Sequence, residues 1–98
     1  MNITKNSADT ALTLVLEGRL DTTSSPQLEA ELKRSIADIT ELVFDMNALD
    51  YISSAGLRVL LAAQKVMNKQ GKMIIRGANQ NIMEIFEVTG FVNILTIE

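Results

Sequence analysis

Leu12, Leu14 and Leu16 alternate with Thr13 and Val15 between Ala11 and Glu17, the two-residue period of a strand with one buried face. Gly18 is expected to end the regular part of that strand. Ahead of it, Ile3–Asn6 reads as a short edge strand joined through a turn at Ser7-Ala8-Asp9. The period then changes to a helical one. Leu28, Leu32, Ile36 and Ile39 stripe one face after Thr22-Thr23-Ser24-Ser25-Pro26, where Ser25 is expected as the N-cap and Pro26 as the first helical residue. Glu41–Met46 is a short apolar run of the internal-strand type, with Asp45 near its end, and Leu49–Ile52 leads onward. A long helix is predicted from about Ser54 to Lys69. Its apolar positions cover most of the circumference, so burial on more than one side is expected, with Arg58, Lys65, Asn68 and Lys69 on the wet side. Gly71 closes it, and Lys72–Arg76 is another strand. Asn79-Gln80-Asn81 opens a short helix whose Ile82, Ile85, Phe86 and Thr89 share a face, and Gly90 ends it. Phe91–Ile97 is expected as a last extended stretch.

Strands alternating with helices predict an α/β domain: one mixed sheet of four to five strands, with parallel crossovers and helices packed mainly on one face. Residues 1–98 are expected to form one domain, since neither a linker nor a repeat interrupts the order.

Composition narrows the chemistry. No window approaches the roughly 18 apolar residues of a membrane span, although 47% of the chain is hydrophobic. Met1–Asn6 lacks the apolar core of a signal peptide, and the cytoplasm is the expected compartment. The formal charge is −3, from 9 basic and 12 acidic side chains with no Lys/Arg run, which weighs against nucleic acid or an anionic membrane as partner. Cysteine and histidine are both absent, which removes disulfides, thiolate metal sites and the usual general base. Asp21, Asp45 and Asp50 remain as candidate acids, but their spacing makes no metal loop, and no glycine-rich phosphate cradle is present. Neither a metal nor a cofactor is expected, and an enzyme is the weakest reading.

One segment stands out: Asp50-Tyr51-Ile52-Ser53-Ser54-Ala55-Gly56-Leu57, two hydroxyl residues at the start of the long helix. A serine here can cap the free N–H groups of the first turn, and a phosphoryl group here would be electrostatically favoured. Both readings of Ser53 and Ser54, plain cap or surface switch, fit the helix pattern.

Gly18-Arg19-Leu20-Asp21, Asn47-Ala48-Leu49-Asp50-Tyr51-Ile52-Ser53-Ser54-Ala55-Gly56-Leu57 and Phe86-Glu87-Val88-Thr89-Gly90-Phe91 together resemble STAS domains of bacterial anti-sigma factor antagonists, in order and spacing and over nearly the whole chain. The middle motif is the specific one. The resemblance implies the STAS fold, with no catalytic activity of its own. It implies a phosphoacceptor at Ser54, modified by an anti-sigma factor that is itself a serine kinase and reset by a serine phosphatase. The unphosphorylated form would hold the kinase, and the phosphorylated form would be released. Ser53 stands where many members carry aspartate, which makes it the alternative acceptor. Asp21, Thr22, Thr23, Ser53, Ser54, Ala55, Gly56 and Arg58 are the expected partner face, on a monomer or weak dimer. Tyr51 fits either an anchor on that face or a buried strand end. A non-switching STAS adaptor in a transporter or sensory complex is the alternative role, and a nucleotide- or lipid-binding module is less well supported.

Overall fold

The computed structural model describes residues 1–98. The leucine alternation of the second strand persists well past its expected end. Strand β1 spans Asn2–Ala8 and pairs antiparallel with β2, Ala11–Leu20. Gly18 does not stop β2; it lies within it at φ +100°, beside one of two register shifts against the next strand. Only glycine enters that region at little cost, so the residue marks an irregularity in the strand rather than its end.

Helix α1 covers Ser25–Ser35 and is followed by β3, Glu41–Ile52. The N-cap of α1 is Ser24, not Ser25 as the sequence suggested; the Ser25 hydroxyl is committed to the Asp21 carbonyl, and the Ser24 hydroxyl serves the Asp21 turn rather than the helix. Ile39 lies beyond the helix yet is still buried in the core. Strand β3 is twice the length expected. Asp45 is therefore in mid-strand, and its carboxylate accepts from the backbone and side-chain N–H groups of Asn47 at 3.0 and 2.8 Å.

Helix α2 runs over Ser54–Gln70, β4 over Lys72–Arg76 and α3 over Gln80–Thr89. Asn79 caps α3, accepting from the Ile82 N–H at 2.9 Å, and Gly90 closes it in the left-handed conformation. Thr89 does not join the buried face of α3, as it is exposed and donates to the Ile85 carbonyl at 2.6 Å. The final stretch is only partly extended. Phe91–Asn93 form a 3-10 turn, and strand β5 is just Thr96–Ile97.

The sheet has five strands in the order β1-β2-β3-β4-β5, antiparallel at the first pair and parallel thereafter. Three parallel steps taken in the same direction with the usual right-handed crossover place all connecting helices on one face. Buried residues from all three helices, including Leu28, Leu60, Met67, Ile82 and Phe86, accordingly join one cluster with Leu12, Leu14, Leu16 and Phe44 of the sheet. Full burial of each such side chain contributes about 1.5–3 kcal/mol. Helix α2 rests on the sheet and against α1, but its outer apolar residues Ala62 and Val66 are exposed. Its apolar circumference is therefore buried less completely than the pattern suggested. Because β2 and β3 are parallel neighbours, their C-terminal ends deliver the loops before α1 and α2 to the same edge of the molecule.

Candidate functional site

Two loops meet at that edge. The first follows Leu20 and is organised by Asp21, whose carboxylate accepts from the backbone N–H groups of Thr23 and Ser24, each at 3.0 Å. The Ser24 hydroxyl accepts from the Asp21 N–H at 2.9 Å and donates to the Arg19 carbonyl at 2.6 Å. The Ser25 hydroxyl donates to the Asp21 carbonyl at 2.6 Å. Backbone donation from Ser24 is the main cause that holds the Asp21 carboxyl below its ordinary value of 3.8; desolvation, the next largest effect, opposes it, and the Ser24 hydroxyl, Thr23 and the Arg19 charge add to the lowering. Asp21 is thus an ionised acceptor that fixes a turn.

The second loop is short. The Ser53 N–H donates to the Leu20 carbonyl at 2.9 Å, which joins the start of α2 to the end of β2. Ser53 is the N-cap of α2, and its hydroxyl accepts from the Gly56 N–H over a long 3.4 Å. Ser54 is the first helical residue; it is exposed, and its hydroxyl has no hydrogen-bond partner in the protein. One serine closes the helix end and the other presents a free oxygen.

Among the expected partner residues, Thr22, Thr23, Ser54 and Arg58 are exposed, and Asp21, Ser53 and Ala55 are half-buried. Thr22, Ala55 and Arg58 line one shallow pocket between the N-terminal turns of α1 and α2, together with Ser25, Pro26 and Glu29. Gly56 does not reach the surface. It is buried against Leu20 and Ile52, so its part is to let α2 approach the sheet.

Sequence reasoning missed the role of Arg19. Its guanidinium lies 4.4 Å from the centroid of the Tyr51 ring and 3.7 Å from Asp21. The two residues are register partners on β2 and β3, so the pairing was hidden until the register was known. Tyr51 is half-buried with this cation over its face. No group of three or more Asp or Glu side chains gathers anywhere in the molecule, and no helix is long and apolar enough to cross a membrane.

The STAS domain family model matches residues 2–98. The chain belongs to the STAS domain family. A Bordetella bronchiseptica protein named as an anti-sigma factor antagonist, BtrV, is 36% identical over 99 aligned positions, covering 99% of this STAS chain and 85% of its own. The crystal structure of an anti-sigma factor antagonist from Mycobacterium paratuberculosis superposes with a TM-score of 0.88 at 21% identity, covering 98% of this chain and 83% of that one. The Bacillus cell fate determinant SpoIIAA in its phosphorylated form gives 0.78 at 16% identity, covering 99% and 91%. At these identities the two structures establish the shared STAS fold.

Proposed function

We infer that this STAS domain is an anti-sigma factor antagonist working through a phosphorylation-controlled partner switch. Unphosphorylated, it binds an anti-sigma serine kinase and thereby frees a sigma factor; phosphorylated on Ser54, it is released; a serine phosphatase returns it to the binding form. The domain acts as substrate and ligand, with no catalysis of its own, in the bacterial cytoplasm. The likeness to BtrV supports the antagonist role.

The observation that carries the reading is the division of labour between the serines. Ser53 is occupied as the cap, whereas Ser54 offers an exposed hydroxyl bonded to nothing in the chain. In the transfer, the Ser54 oxygen forms the new bond to the γ-phosphorus of ATP, ADP leaves with the electrons of the old bond, and the hydroxyl proton is released. The product adds about −1.5 to −2 charges at a helix start that favours anions. The fold is therefore retained while the partner meets a new anion. A differential of about 3 kcal/mol in partner binding changes affinity more than a hundredfold, enough to switch a complex.

The test is intact-mass and fragment-ion spectrometry after incubation with ATP and the candidate anti-sigma kinases of the host, with Ser54→Ala and Ser53→Ala alongside. One phosphate that disappears only in Ser54→Ala supports the switch and its site. Tight binding of a partner with no phosphate on either serine replaces it with the non-switching adaptor.

A further inference from the structure

Residues four apart on a helix stand one above the other on the same face, with about 5–6 Å between their Cβ atoms. Ser54 opens α2, and Arg58 is its neighbour one turn on. Helical side chains lean toward the N-terminus, so the surface covered by Arg58 lies over the turn that contains Ser54 and Ala55. Both Ser54 and Arg58 are exposed.

Arg58 is also uncommitted, taking part in none of the six ion pairs of the molecule. Glu29 of α1, which shares its pocket, lies 3.6 Å from Lys33. Asp21 is held by its own turn and by Arg19. A free guanidinium is therefore placed one turn above a free hydroxyl. Its planar fork matches two oxygens of a phosphoryl group, a geometry that a lysine ammonium does not reproduce.

We propose that Arg58 is the intramolecular counter-ion of the phosphoryl group on Ser54, a positioning residue that holds the phosphate against α2. The proposal rests on the assignment of Ser54 as the phosphoacceptor. It gives modification two effects on the partner face. A dianion is added, and the cation that a partner carboxylate would meet in the unmodified form is taken up within the chain.

The experiment installs phosphoserine at position 54 during synthesis, so that no kinase is needed, and follows the phosphorus NMR signal as pH is raised through its second ionisation near pH 6. A cation at this distance on a helix is expected to lower that midpoint, so Arg58→Gln should raise it by about 0.2–0.4 units, and Arg58→Lys by less. Lys65→Gln removes one charge from the same helix about 16 Å further along, beyond the screening length, and should leave the midpoint in place. An Arg58→Gln midpoint equal to wild type overturns the proposal, as does an equal shift in Lys65→Gln. If no host kinase modifies Ser54, the partner switch fails while this titration still decides the role of Arg58.

Discussion

Gly56 lies directly against Leu20: a Cβ built on its backbone would stand 2.7 Å from Leu20 Cγ and 2.9 Å from Ile52 Cγ1. Ser54 is presented at the edge of the sheet because the first turn of α2 can settle onto these two core residues. Gly56→Ala brings the alanine's helix preference, about 1 kcal/mol, against overpacking of about 1–3 kcal/mol. The overpacking should win, since Leu20 and Ile52 are themselves fully buried. We expect a net loss of up to about 2 kcal/mol in urea unfolding, together with slower phosphorylation of Ser54. A variant as stable as wild type would show that α2 lifts without cost.

The two serines separate by different measurements. Ser53→Ala removes the cap and should cost about 0.5–1 kcal/mol, the lower part of the usual range, because the bond from the Gly56 N–H is 3.4 Å long. Ser54→Ala breaks no hydrogen bond and should stay within about 0.5 kcal/mol of wild type while losing phosphate uptake. Equal unfolding midpoints for both variants would remove Ser53 from its role as cap.

Acid should expose the turn at Asp21. Its carboxyl titrates lower in the folded chain than the ordinary 3.8, so the unfolded state binds more protons in that window and stability rises with pH there. The contribution is complete above the unfolded value and lost as pH falls through the folded one. Glu31 acts in the same direction, lowered first by the Ser35 hydroxyl and then by Arg34. Asp21→Asn should therefore be less stable than wild type at neutral pH, with the gap closing below pH 3.8. Urea midpoints collected from pH 2 to pH 7 check this; a gap independent of pH assigns the effect to packing alone.

Gln64 offers a stabilising change. It is buried on α2, its amide nitrogen donates to Asn68 at 2.8 Å, and its Oε1 has no partner. Gln64→Met keeps the length and helix preference, removes the orphaned acceptor and leaves exposed Asn68 to water. A gain of about 1 kcal/mol is expected, seen as a higher urea midpoint at unchanged slope. A lower midpoint would mean that the amide is satisfied in solution.

The parts of the fold legible in the sequence were those with a clean period. The leucines of β2, the stripe of α1 from Leu28 to Leu32 and the opening of α3 at Asn79-Gln80-Asn81 were all readable, because local spacing alone decides them. Boundaries set by distant partners were not. Strand β3 continues through Asn47 and Ala48 because β2 runs alongside and supplies the ladder, and nothing local announces that. The cap position of α1 lies one residue earlier than expected, where the hydroxyls of Ser24 and Ser25 are both committed to Asp21 and neither closes the helix. At the candidate site, the Ser53-Ser54 pair was visible as a motif, but which hydroxyl caps and which stays free needed the helix start to be located. Arg19 over Tyr51 depended on register and could not be read from either strand alone.

The strand order follows the order of synthesis without exception. Each strand after the first therefore pairs with the one synthesised just before it, and every parallel step has its crossing helix synthesised in the interval. Such a sheet can grow from one edge to the other while the chain is still being extended, with no early strand waiting for a late one. The segment carrying Ser53 and Ser54 follows β1, β2 and β3 in the chain, so the strands whose ends flank it are all synthesised before α2 is complete.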